Sequence, residues 1–478
     1  MKKIKNKLNN FIIWERPCYP GLVYKAGEAV VIPHKKEFGR PWAKTYAFFN
    51  KGMVKYVWPK KEFLDNSKYI AETFLDTKYF NLKKRKLNSL TQKLVKGKNK
   101  LLKANFNKLS NQEFIKVNNG FQKTYLNWWA WAQVAEPAAA GLELFLRKDL
   151  DLTPEEFNVL TSSTKKSYTM EEEEDIFSLA LDYKKNKKIS PTNLKKHVEQ
   201  YFWINNGYDH TYYLDSEYFK QKIKEVATKL SEKKIKTSLL NNHKRLILAS
   251  INKNNLEKKL KIAKKTLKII EIIDWLGDFQ DKRKALSLET NYYLDEIVRE
   301  LARRSKLPYN LARYLIPNEY SDAIKGKFSL AVLKERRRFM EIIYTEKGAK
   351  IYFDDTARED EFKLLGKVSD TDLNEIQGTR AMGGKIIGRA NVILKKADLN
   401  KMKEREILVT TMTSPDFIAA MKKAAAIVTD EGGITCHAAI ISRELGIPCV
   451  IGTKIATRVI KDGDILEVNA NHGLIKKL

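Results

Sequence analysis

Apolar positions from about residue 61 to residue 346 recur mainly three and four apart, the spacing of amphipathic helices. Behind the capping box Ser110-Asn-Gln-Glu113 stand Phe114, Val117, Phe121, Tyr125 and Trp128. Thr153-Pro154-Glu155-Glu156 and Ser190-Pro191 mark two further helix starts, each with proline at the first helical position. Leu256, Leu260, Ala263, Leu267 and Ile270 mark one face of a long helix predicted to end near Trp275. The period is different at both ends of the chain. Residues 1–60 carry two short β-prone runs, "AVVIPHKKEF" and "YAFFNKGMVKYVW", the second broken by Lys51-Gly52. After about residue 374 come Gly378, Gly383, Gly384 and Gly388. Short β-prone runs then alternate with short helices to the C-terminus, and Asp462-Gly463 and Asn471-His472-Gly473 mark turns.

The predicted class is α+β. Residues 1–60 form a small β-rich segment and residues 61–356 a mainly helical domain for substrate binding or docking. Residues 357–375, polar and acidic, are a linker, and residues 376–478 form an α/β domain of ordinary size.

Composition narrows the compartment more than the function. The chain is 43% hydrophobic, yet no uncharged apolar run approaches the roughly 18 residues of a membrane span. The basic N-terminus loses its apolar stretch at Glu15 and Arg16, unlike a signal peptide. Three scattered cysteines, Cys18, Cys436 and Cys449, suit a reducing cytoplasm and make neither a disulfide framework nor a zinc knuckle. The net charge of +31 comes mostly from lysines spread along helices. Solvated faces are the leading reading of that charge and nucleic-acid binding the minor one. Glu171–Glu174, Arg336–Arg338, His197 and His210 also read as solvated or packed residues, and the two histidines have a minor second reading as bases. The aromatic runs around Trp128 and Tyr201 read first as helix core and second as the wall of an organic-substrate pocket.

One stretch departs from this texture: "TDEGGITCHAAIISRELGIPCVIGT", residues 429–453. It reads as a buried strand, a loop freed by Gly432-Gly433, and a helix that begins at His437 and stops at Gly446 and Pro448. His437 thus lies in the first helical turn, where unpaired N–H groups and the positive dipole end suit a phosphate. The same field favours a neutral imidazole, whose lone pair can attack phosphorus. Thr435 is placed to donate to phosphoryl oxygens. Arg443 approaches the phosphate or forms a surface pair with Glu431 or Glu444. A helix cap or a packed core residue is the competing reading of His437.

The run Gly432-Gly433, Thr435, His437-Ala438-Ala439, Arg443-Glu444, Gly446-Ile447-Pro448 and Gly452 closely resembles the swivelling phosphohistidine domain of the PEP-utilising enzymes. That family includes phosphoenolpyruvate synthase, pyruvate phosphate dikinase and rifampin phosphotransferase. "TTMTSPDFIAAM", with Thr413 and Pro415, resembles the loop before the motif, and the whole resemblance covers about residues 378–478. Cys436 departs from it, standing where the family usually has serine; a thiol is the weaker hydrogen-bond partner.

The resemblance implies a swivelling β/β/α domain and a phosphotransferase in which His437 carries a phosphoryl group from donor to acceptor. Gly432, Gly433, Thr435, Cys436, Arg443 and Thr413 would support that group. The chain has no GxxxxGK[ST] loop, the first 60 residues are too few for an ATP-grasp domain, and no PEP-binding barrel follows. The expectation is therefore an incomplete enzyme that binds no cofactor itself. A separate ATP-grasp subunit would load the histidine, with Mg2+ and ATP or PEP at that partner's site. A small-molecule acceptor is compatible with this scheme; a membrane is not part of it. The alternative is a non-catalytic regulator or scaffold that reuses the domain and grips nucleic acid through its basic helices.

Overall fold

The computed structural model describes residues 10–365, 375–413, 415–432 and 436–478. Its first sheet joins distant parts of the chain. Strands β1 (Phe11–Pro17), β2 (Thr45–Asn50), β3 (Met53–Pro59), β4 (Met340–Thr345) and β5 (Gly348–Phe353) lie in the order β1-β3-β2-β4-β5. Every neighbouring pair is antiparallel. Lys51 and Gly52 turn the β2–β3 hairpin with φ of 46° and 85°, the two positive values that match a tight turn to the strand twist.

The expected segment 1–60 is therefore not a sheet by itself; residues 340–353, expected within the helical run, complete it. Its other apolar run is helical. Pro20–Ala29 and Ile32–Phe38 are helices with proline near each start, and Val30 and Val31 lie between them. Short apolar runs carry no period that separates a buried helix from a strand, so the β reading of "AVVIP" fails there.

The middle of the chain is helical. Ser110 and Thr153 cap their helices reciprocally with Glu113 and Glu156, and Ser190 caps the helix Pro191–Tyr201. The apolar face read through Trp275 belongs to two helices, Glu232–Lys259 and Lys264–Ser305. Lys261, at φ 48°, breaks the chain between them, and the second helix runs 30 residues beyond Trp275. The apolar spacing continues across the break, so periodicity alone cannot reveal it. Trp128, Leu142, Leu276 and Leu294 share one core with Phe49 and Tyr344 of the first sheet.

Where a linker was expected, Asp355–Leu365 is a helix; residues 366–374 lie outside the described residues. It buries only Ala357 and Leu365, against Phe48, Val57 and Phe339, so its sequence looks polar throughout.

The C-terminal sheet contains β6 (Glu375–Gln377), β7 (Thr379–Met382), β8 (Lys385–Val392), β9 (Ile407–Thr410), β10 (Ala426–Thr429), β11 (Cys449–Ile451), β12 (Ile465–Asn469) and β13 (Leu474–Lys477). The order is β6-β13-β12-β8-β9-β10-β11-β7, with β8, β9, β10 and β11 parallel. Successive residues face opposite sides of the sheet. Leu408 and Ile427 join the core under the helix His437–Leu445, while Val409 and Val428 face Leu466 and Ile475. Burial on both faces explains why β9 and β10 read as continuous apolar runs. Among the described residues, no helix is long and apolar enough to cross a membrane.

Candidate active site

The parallel strand β10 leads into the loop that holds the chemistry. Gly432 adopts φ 131°, where a Cβ would also come within 2.8 Å of Cys436 Sγ. Only glycine suits that combination of backbone shape and space. Gly433, Ile434 and Thr435, two of them expected to support the phosphoryl group, lie outside the described residues. Cys436 caps the helix His437–Leu445: its Sγ accepts the Ala439 N–H at 3.4 Å. The helix ends in left-handed Gly446, φ 68°.

His437 is the first residue of this helix and is half-buried. Its Nδ1 lies 2.8 Å from the Thr413 hydroxyl. Its Nε2 is buried and has no partner among the described residues. For Nε2 to present a lone pair, the ring proton must sit on Nδ1 and be donated to Thr413 Oγ1. Burial first, and the Lys284 ammonium second, hold the imidazole well below its usual pKa. The ring is thus neutral at physiological pH, as a nucleophile must be.

His437 faces a cavity of about 330 Å³ between the C-terminal domain and the rest of the molecule. Arg16, Tyr208, Asp281, Arg283 and Lys284 line it from the opposite side. Lys284 Nζ donates to the Thr413 carbonyl at 3.3 Å. Burial and then neighbouring Arg16 lower its pKa to about 8. Asp281 accepts the Tyr168 N–H at 2.9 Å, and burial raises its carboxyl to about 7. Arg16 lies 3.5 Å from Glu431, which also accepts the Glu15 N–H. Arg283 forms a two-pronged pair with Glu136.

Ion pairs hold the C-terminal domain in place around this cavity. Lys422 meets Glu173 at 2.6 Å, and Arg245 donates to the Glu444 carbonyl at 3.1 Å. His210 lies between Asp209 at 2.6 Å and Asp416 at 3.6 Å. Burial lowers its pKa, but the two carboxylates outweigh burial and raise it to about 9.

The structure thus brings His437, Thr413, Cys436 and Gly432 together at the cavity, while Arg443 stands outside its lining. Arg443 Nε donates to the Ala381 carbonyl at 3.0 Å and Nη2 to Asn158 at 3.2 Å, and the residue does not line the cavity. It ties the histidine helix to β7 and to the helix Pro154–Thr161. His197 is packed against Phe219 and sits 3.1 Å from Asp175, away from the cavity. Arg336, expected on a solvated ridge, is buried and pairs with Glu319 at 2.7 Å. Glu172 of the expected solvated helix start is buried beside Lys222.

Sequence reading missed Lys284, Asp281, Arg16 and Tyr208. For the first two a signal existed. Asp281 and Lys284 are three apart within "QDKRKALSLET", hence on one helix face, where charge interrupts an otherwise apolar helix. Arg16 and Tyr208 carry no such signal.

Residues 402–473 match the family described as PEP-utilising enzyme, mobile domain. Over 135 residues it is 47% identical to a protein of Archaeoglobus fulgidus named as a probable phosphoenolpyruvate synthase, an overlap of 27% of this chain and 18% of that one. The phosphoenolpyruvate synthase of Pyrococcus furiosus is 56% identical over 102 residues, 21% of this chain and 12% of its own. That of Escherichia coli is 39% identical over 156 residues, 31% and 20% respectively. The chain thus spans a fifth or less of each of these relatives. The likeness concerns the mobile domain and bears little on the helices that close the cavity.

Proposed function

We propose that the protein is the phosphoryl-carrying component of a phosphotransferase, with His437 as the carrier. The supporting observation is the position of its imidazole. The ring is oriented by Thr413, kept neutral by burial, and leaves Nε2 without a partner among the described residues, beside a cavity that both parts of the molecule line. Nε2 attacks the donor's terminal phosphorus, a P–N bond forms, and the donor leaves with its bridging electron pair. In the second half-reaction an acceptor oxygen attacks phosphorus and the P–N electron pair returns to Nε2. The acceptor's hydroxyl proton passes to the Asp281 carboxylate. Lys284 stabilises the charge on the phosphoryl oxygens in both steps.

Loading takes place with the mobile domain undocked, at the site of a separate ATP-grasp subunit that supplies the cation and the nucleotide, or at a PEP site. The docked arrangement corresponds to delivery. The polar pairs around the cavity suit a contact that must form and break, because exposed ion pairs hold weakly.

The test is transfer of radiolabel from ATP or PEP to the full chain, with the partner present. The expected label is acid-labile and base-stable, and His437→Ala abolishes it. A base-labile label, or one that survives in His437→Ala, overturns the proposal.

A further inference from the structure

Beside the His437 cavity lies a smaller pocket of about 80 Å³. The two share Trp14, Arg16, Glu136, Tyr208 and Arg283 as common wall. Trp14, Trp42 and Trp58 form a cluster at its side: Trp14 and Trp58 lie 4.7 Å apart edge to face, and Trp42 stacks on Trp58 at 5.3 Å. Trp58 satisfies its indole N–H on Thr45 at 2.9 Å. Other groups of the wall are not satisfied. Trp42 Nε1, Trp129 Nε1, Tyr56 OH, Gln133 Oε1 and Arg16 Nε are buried without a partner among the described residues. Trp42, Tyr56 and Gln133 are each less than a tenth exposed.

Leaving one such group unpaired costs about 1–3 kcal/mol, and native structures rarely tolerate it without reason. Five around one small space point to a guest that pairs with them. Four of the five can only donate or readily donate, so the guest's inner end must be rich in acceptors. The flat indole walls call for a planar body.

Charge narrows the class further. The pocket's two guanidiniums are already opposed by carboxylates, Arg16 by Glu431 and Arg283 by Glu136. A carboxylate buried in this inner pocket would meet only these paired guanidiniums, because Lys284 lines the outer cavity and not the inner one, and it would lose its hydration, a heavy penalty. The outer cavity of about 330 Å³ falls within the range of small-molecule pockets.

We propose that the pair of compartments binds the phosphoryl acceptor, and that this acceptor is a small, planar organic molecule with a neutral inner end. Its carbonyl-like inner end pairs with Trp42 and Tyr56, and its hydroxyl is presented to His437. Only the last clause rests on the carrier reading; binding itself does not need a phosphoryl group.

The test is isothermal titration of the full chain with a matched pair, 4-hydroxybenzamide and 4-hydroxybenzoate, and with pyruvate. The benzamide is expected to bind about tenfold or more tightly than either anion. Tyr56→Phe removes one donor and keeps the ring, and Trp42→Phe removes one donor and leaves a smaller aromatic ring; each is expected to weaken the benzamide about tenfold. Absence of benzamide binding up to about 10 mM overturns the proposal. So does equal or tighter binding of the benzoate or pyruvate, or an unchanged benzamide affinity in both folded variants. If a variant fails to fold, the comparison of the three ligands on the unaltered protein still decides. Failed labelling of His437 with intact benzamide binding removes the carrier reading alone; the reverse outcome removes this one alone.

Discussion

The mobile domain and the helical region contribute to one cavity in opposite ways. The C-terminal domain supplies its share, among the described residues, from Met412 and Thr413 in the loop after β9 and from Glu431, Gly432 and residues between 436 and 441 around the histidine. The helical side supplies Arg16, Glu136, Tyr208 and Lys284, gathered from four separate segments of the chain. The difference teaches that the reactive group can be found in local sequence, while the partner of the reaction is set by tertiary packing.

The largest expected effect breaks the helical side's share of the chemistry. Lys284→Met is expected to slow phosphoryl transfer to the acceptor about 10²–10³-fold, the usual loss for one preorganised charge-stabilising donor. Rapid-quench measurement on prephosphorylated protein reads it. In the unaltered protein the same rate should fall as pH rises through about 8, where Lys284 loses its proton. Lys284→Arg should remove that falling limb, because a guanidinium stays charged there.

The docked contact offers a second way to sharpen the comparison. The pKa of His210 is raised from 6.5 to about 9, so the stability it contributes is fully present below pH 6.5 and is lost as pH rises through 9. Thermal melts between those limits should show a declining transition temperature. His210→Gln should flatten that decline.

Gly432→Ala probes the mobile domain alone. The strained φ and the Cys436 contact are expected to cost about 1–3 kcal/mol, read as a shift in the denaturant midpoint. Lys422→Ala removes a partly exposed ion pair with Glu173 and should change stability by less than about 1 kcal/mol.

How much could be read in the sequence follows the same division. Strands β8 to β13 and the histidine helix were legible, because glycines and turns delimit apolar runs of plain length. The capping boxes at Ser110 and Thr153 were equally plain. The shared first sheet was not, since β2 and β4 are paired across almost 300 residues and no local signal records a pairing. The break at Lys261 was hidden because both flanking helices bury apolar residues at the same spacing. His437, Thr413 and Cys436 were legible as a group through their motif. Arg443 was legible as a residue of the motif but not in its contacts, which depend on Asn158 from the helical side. Lys284 and Asp281 were visible only as charges in a helix.

The most direct measurement concerns the atom that carries the phosphoryl group. Nitrogen-15-labelled protein, phosphorylated by its donor, can be observed by phosphorus–nitrogen correlation NMR. The expected spectrum has one phosphoramidate signal coupled to His437 Nε2, with Nδ1 remaining on the Thr413 side. Coupling to Nδ1, or phosphorus attached to any residue other than His437, would contradict the central claim.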